Sequence, residues 1–278
     1  MTVLRSPLRS PLRSPLYSPL VGKWGGIVPA AEALFARFTT PATDARKLLI
    51  NNRIVAAQAS GAWALRDAFY IMAAATAQAG QRNWKADTFN LTPTGTIAFE
   101  ADRGYTGDGS TGYLATGFTP STAGGNYALD SAHLSVWSRT NAQHAGVAIG
   151  ARTSGAPTGQ SLMILRSATD TASYRINQNV SGATAASLDG SGSFVARRSG
   201  SGATALFRNG ASIDTNADVS TSLSAVAVTI GALNTAGVIG SFNNYQFASA
   251  GFGGNLTDAQ ILAEYNADLA YLQGVGAA

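Results

Sequence analysis

Beyond Asn90 the chain alternates short β-prone runs with clusters of Gly, Asn, Asp and Ser. The runs fall at 96–101, 112–116, 132–140, 145–151, 162–167, 173–177, 193–199, 204–209, 225–230 and 245–252. Strand-sized runs spaced by about ten residues, with turn signals between them, predict an antiparallel sandwich or jelly roll. In His133-Leu134-Ser135-Val136-Trp137-Ser138, Leu134 and Val136 stand one strand period apart with a polar residue between them. Trp137 alternates with Val136, so one of the two faces inward. Asn209-Gly210 follows Leu206-Phe207-Arg208 and predicts a type I′ hairpin, whose two central residues both need positive φ.

The chain before Asn90 has a different texture. A short amphipathic stretch covers 30–38, and Thr43 and Asp44 are helix N-cap candidates. Leu48, Leu49, Val55, Ala56 and Ala59 recur with a helical period over 44–60, and Gly61 stands where a C-cap glycine belongs. Residues 63–73 read as a strand with Leu65, Phe69 and Ile71 as core positions, and 74–83 as a short Ala-rich helix. At the far end Thr257 caps a last helix. Leu256 precedes it as a staple, and Ile261, Leu262, Tyr265, Leu269 and Leu272 form its apolar stripe.

Residues 4–20 repeat Leu-Arg-Ser-Pro with a period of four. Pro7, Pro11, Pro15 and Pro19 fix φ, remove backbone donors and disfavour helix at the preceding serines, so the segment is expected to be extended. One reading is a spacer. The reading preferred here is a docking strap that orders on assembly, with Leu8, Leu12, Leu16 and Leu20 filling pockets on a neighbouring subunit and Arg5, Arg9 and Arg13 pairing with acidic groups. A plain spacer has no need of a leucine in every repeat. Three units are expected: an anchoring arm at 1–22, a helical connector at 23–89 that packs on the sandwich, and the sandwich at 90–278.

Charged residues are only 12% of the 278, and Gly, Ala, Ser and Thr fill the deficit, which predicts a neutral, hydroxyl-rich surface. The net charge is +4 and the arm carries three of the arginines. The concentrated basic face with interleaved aromatics of a nucleic-acid binder is missing, so no nucleic-acid partner is expected. The absence of cysteine excludes disulfides and thiolate metal sites. The N-terminus lacks an apolar run of the length a signal-peptide core needs, and no run anywhere reaches that of a membrane span, so the expectation is a protein made in the cytosol that leaves it by lysis or within a particle.

Two stretches resemble the concanavalin A-like, laminin-G-like jelly rolls: Phe99 to Tyr113 with Thr116-Gly117-Phe118, and Phe194 to Ile213 with Tyr245 to Leu272. The glycine-rich turn after an early strand, the Arg208-Asn209-Gly210 hairpin tip and the closing Leu256-Thr257-Asp258-Ala259-Gln260-Ile261 helix start carry the likeness. The whole layout, with the repeats and the Asp44 to Asn52 helix, is similar to virion proteins of tailed phages and prophages. The resemblance implies a mainly β, antiparallel jelly-roll sandwich with an extended N-terminal arm, a small helical segment and a C-terminal helix. It also implies a non-enzymatic tail-fibre, spike or decoration component, a homo-oligomer with a trimer favoured, located in the virion and displaying a lectin-like face to host-surface glycan. Tyr127, Trp137, Tyr174 and Tyr245 are the candidate rings for stacking on sugar.

Two further readings stand beside this one: a polysaccharide hydrolase and a ligand-free cement protein. Glycoside hydrolases of this fold carry E-x-D-x-x-E on one strand. Glu100 and Asp102 match its first two acids, but Tyr105 stands at the third, which removes the general acid. No cofactor is expected, and no catalytic or metal residue is assigned. His133 and His144, with Asp130 as the only nearby carboxylate, fall short of a metal set. Many such jelly rolls hold Ca²⁺ through loop oxygens, for which Asp108, Asn126 and Asp130 are the candidates. No nucleophile elbow, P-loop or dinucleotide fingerprint is present.

Overall fold

The computed structural model describes residues 26–154, 158–179 and 182–278. Arg5, Leu8, Arg9, Leu12, Arg13, Leu16 and Leu20 therefore lie outside the described residues. The described chain opens with helices α1 (Pro29–Phe35), α2 (Asp44–Ala59) and α3 (Ala62–Leu65), strand β1 (Arg66–Ile71) and helix α4 (Ala77–Gln81). Strands β2 (Thr92–Thr94), β3 (Ile97–Glu100), β4 (Gly104–Gly107), β5 (Tyr113–Ala115) and β6 (Ala132–Ser138) follow. Next come β7 (Ile149–Arg152), β8 (Gln160–Ile164), β9 (Thr171–Gln178), β10 (Ala183–Ala186), β11 (Gly192–Gly200), β12 (Ala203–Arg208) and β13 (Ala211–Asn216). The chain ends with β14 (Thr229–Ile230), β15 (Leu233–Thr235), β16 (Val238–Gly240), β17 (Gln246–Gly253) and helix α5 (Asp258–Gly274).

Local chemistry sets several of these boundaries. The Thr43 side chain accepts from the Arg46 amide and starts α2, and Gly61, at φ 76°, takes the left-handed position just beyond its end. Thr257 and Gln260 close a capping box at α5, while Leu256 and Ile261 are buried in one cluster as a staple. Asn209 and Gly210 both have positive φ, 50° and 80°, and turn β12 into β13 as their sequence predicts.

Among the described residues the strands form two sheets stacked as a jelly-roll-like sandwich. The eight-stranded sheet runs β13-β12-β11-β6-β17-β4-β3, with β1 paired to β17. The nine-stranded sheet runs β10-β9-β8-β7-β14-β5-β2, with β15 and β16 beside β7. Between the sheets Leu134, Val136, Phe194, Leu206 and Phe252 meet Ile149, Met163, Tyr174, Ile176 and Ile230. The eight-stranded sheet has a second buried face. Phe69, Ile71, Trp137 and Ala248 pack there under Ile50 and Ile54 of α2 and Tyr271 and Leu272 of α5, and Val195 and Phe207 lie under Ile261.

The segment read as a single strand over 63–73 begins as the short helix α3 and becomes a strand only at Arg66. Its alternation then serves two cores: Ala68 and Tyr70 point between the sheets, and Phe69 and Ile71 point to the helices. The run at 145–151 starts late, because a Cβ on Gly146 would lie 2.1 Å from the Phe242 carbonyl oxygen and the two backbones pass too closely there. The run at 225–230 shrinks to Thr229–Ile230.

A buried ionic cluster joins the helices to this sheet. Arg53 Nη2 lies 2.6 Å from Glu264 Oε2 and its Nε 2.5 Å from Asp268 Oδ1, while Arg66 Nη2 lies 2.6 Å from the same Glu264 oxygen. Both guanidinium groups also sit over the Phe69 ring, 4.5 and 4.4 Å from its centroid. Gly251 makes the room: a Cβ there would meet Arg66 Nη1 at 2.5 Å. Against the upward push of burial, the two guanidinium groups hold Glu264 down at about 2. Nearby, His133 gives its Nδ1 proton to the Gly254 carbonyl, and burial together with the charge of Arg66 pushes its pKa down to about 3.

Glu264→Gln is expected to destabilise the fold by about 3–5 kcal/mol, because it leaves two buried guanidinium groups short of counter-charge; the urea midpoint measures this. Acid should act in the same direction through two groups. The unfolded chain protonates His133 near its ordinary 6.5 whereas the folded chain resists to about 3, so stability present above pH 6.5 declines as the pH falls through that window. Glu264 adds a further loss between its ordinary 4.5 and about 2. Urea midpoints of His133→Leu should fall less steeply between pH 6.5 and 4 than those of the parent.

Candidate functional site

The two sheets differ in what covers their outer faces. Helices α2 and α5 bury that of the eight-stranded sheet, whereas strands β7, β8 and β9 of the nine-stranded sheet carry a groove on theirs. Strand alternation makes its walls. Ala151, Met163 and Tyr174 point into the sandwich, so Arg152, Leu162 and Arg175 point outward. Register aligns them: Arg152 pairs with Gln160, Gly150 with Leu162, and Leu162 with Arg175.

The groove has a volume of about 300 Å³. Val147, Leu162 and Leu233 form a small apolar cluster with Ile164 on its floor. Arg152, Gln160, Arg175, Asn179 and Ser241 supply its polar edge, and among the described residues no acidic or aromatic side chain lines it. Two glycines shape it. A Cβ at Gly150 would stand 2.7 Å from Leu162 Cβ, and one at Gly182 would stand 2.7 Å from Arg175 Cγ. Arg152 is exposed and its side chain makes no hydrogen bond among the described residues, and Arg175 is half-buried. Burial and the neighbouring charge of Arg152 draw the Arg175 pKa downward, with Asp218 opposing them. The guanidinium nevertheless stays charged at any working pH. A cationic edge beside an apolar floor can hold a small polar ligand by hydrogen bonds while its C–H surface covers the leucines.

The four rings expected to stack on sugar are all buried. Tyr127 donates to Ser161 Oγ at 2.8 Å, Tyr174 to Asp214 Oδ2 at 2.9 Å, and Tyr245 to the Ala142 carbonyl. Trp137 stacks on Tyr265, with centroids 5.6 Å apart and ring planes 7° from parallel. None presents a ring face to a sugar. Aromatic character and strand parity single these residues out, but Tyr127, Tyr174 and Tyr245 fall between the sheets and Trp137 beneath α5.

The candidate calcium oxygens are used within the chain and lie apart. Asp108 accepts from the amides of Ser110, Thr111 and Gly112, which hold its carboxyl well below the usual range. The Asn126 side chain and amide bond to the β1 region, including Asp67, and Asp130 accepts from Ser220 at 2.6 Å. Among the described residues no group of three His, Cys, Asp or Glu could hold a metal ion. His144 accepts from the Gly146 amide at 2.8 Å. Glu100 ends β3 and accepts from Gln246, whereas Asp102 sits in a left-handed turn (φ 61°) paired to Arg46 at 2.6 Å, so the two carboxylates do not share a strand face.

No family model matches the chain, and no curated protein matches it. Solved structures share its architecture. A Trypanosoma rangeli sialidase mutant displaying trans-sialidase activity is 10% identical with a TM-score of 0.51, over 81% of this chain and 39% of that one. Domain 4 of AbnA, an extracellular GH43 arabinanase of Geobacillus stearothermophilus in complex with arabinotriose, is 13% identical with a TM-score of 0.46, over 72% of this chain and 98% of that domain. The botulinum neurotoxin serotype D binding domain is 8% identical with a TM-score of 0.46, over 73% and 52%. The chain spans about two fifths of the sialidase it matches. At these identities the likeness is one of fold.

The Tyr127 hydroxyl is structural, and its removal tests that. Tyr127→Phe leaves the buried Ser161 and Asn177 short of a partner and should cost about 1–3 kcal/mol in urea unfolding. Any glycan affinity should stay unchanged.

Proposed function

We propose that the chain is a non-catalytic carbohydrate-recognition module that holds glycan on the groove of the nine-stranded sheet and is carried on a phage-type particle by its N-terminal arm. The observation that supports the glycan half most directly is that uncovered groove, where Arg152, Gln160, Arg175 and Asn179 edge an apolar floor. Hydrogen-bond donors beside aliphatic surface suit a ligand that is itself hydroxyl-rich on its edges and C–H on its faces. The fold alone settles no activity. The particle half is supported by the Leu-Arg-Ser-Pro repeats, whose leucines suit a docking strap, and by the layout similar to tailed-phage virion proteins. A symmetric homo-oligomer, with a trimer favoured, fits such a strap.

Two measurements test the halves separately. On a glycan array the full chain should bind at least one saccharide class, with the signal lost in Arg152→Ala/Gln160→Ala and retained in Glu100→Gln. An array without any binding would end the recognition reading. Mass spectrometry of purified particles from a host carrying the gene should find the protein, and its absence would end the particle reading.

A further inference from the structure

The groove is cationic, and its charge is local. Among the described residues its walls bring two arginines and no carboxylate. Arg152 on β7 and Arg175 on β9 flank the intervening strand β8, whose Gln160 pairs with Arg152 and whose Leu162 pairs with Arg175. The two backbones are therefore about 10 Å apart, two inter-strand spacings, and the long side chains rise on either side of Leu162. The charge of Arg152 reaches Arg175 and lowers its pKa, so the two guanidinium groups act on one neighbourhood of the groove. Gly182, on which a Cβ would collide with Arg175 Cγ, leaves the guanidinium room to lie along the groove. A neutral saccharide offers two neighbouring cations no opposite charge. A planar carboxylate accepts in the two-pronged geometry a guanidinium offers.

We propose that the groove recognises the carboxylate of an acidic sugar, a uronate or a sialate, between Arg152 and Arg175, with the ring's C–H face on Leu162 and Leu233. This rests on the carbohydrate-recognition reading above and names its ligand class. A phosphate-bearing nucleic acid fits less well, because no aromatic side chain among the described residues lines the groove to stack on a base.

Isothermal titration at physiological salt tests it, using the full chain with three probes: a short galacturonate oligosaccharide, a sialylated lactose, and the neutral galactose oligosaccharide of equal length. One of the two acidic probes should bind at least tenfold more tightly than the neutral one, and which of them does so identifies the sugar. Arg152→Lys and Arg175→Lys keep the charge but lose the fork, and each should weaken that binding by about tenfold. Their melting temperatures serve as the folding control. Equal affinity for acidic and neutral probes would overturn the acidic preference while leaving carbohydrate recognition standing. Acid binding that both lysine variants retain in full would also overturn it, since net positive charge alone would then account for the attraction. Failure of all three probes together with an empty glycan array would remove both proposals.

Discussion

The buried contact of Glu264 with Arg53 and Arg66 is the constraint on which the arrangement depends. It joins the last helix to two elements near the start of the described chain, the helix α2 and the first strand. Charges removed from water are tolerated only when their partners are well placed, so removing one of them leaves an uncompensated charge in the interior. The Phe69 ring beneath the two guanidinium groups and the hollow left by Gly251 make that placement specific. The helices are thereby fixed over one sheet in a defined register, which non-directional apolar packing alone would not impose.

Covering one sheet decides which face is left for function. A sandwich has two outer faces; here α2 and α5 close one of them, and its central strands β6 and β17 are buried on both sides. The other sheet keeps the alternation of a half-buried strand, apolar inward and mixed outward. Its outward residues on β7, β8 and β9 form the groove, and the glycines at 150 and 182 let Leu162 and Arg175 settle where larger residues would push them away. The groove that results combines hydrogen-bond donors, a positive edge and an aliphatic floor. The carboxylates at Glu100 and Asp102 are separated by a turn and occupied by Gln246 and Arg46.

Much of the architecture was legible from short-range pattern. The Asn209-Gly210 hairpin, the Thr43 and Thr257 caps and the Gly61 terminus each depend on residues a few positions apart, and each stands where the pattern puts it, while the period-two runs place most strands but not the starts at 63–73 and 145–151. The site was not legible in the same way. Parity along 173–177 already places Arg175 opposite Tyr174 and Ile176, but parity does not say which face a third layer will cover. Aromatic rings looked like ligand platforms because large apolar rings with a polar tip suit both a sugar and a core, and the core took all four.

What the sequence by itself determined is the set of elements and their polarity, because hydrophobic period, caps and turn residues act through neighbours in the chain. Only the tertiary structure decided that Arg53, Arg66, Glu264 and Asp268 meet in the interior, that Trp137 lies under a helix, and that Arg152 and Arg175 edge one groove. Strand order and helix docking bring together residues separated by as many as 215 positions, and that proximity arises from three-dimensional packing, which leaves no local signature along the chain.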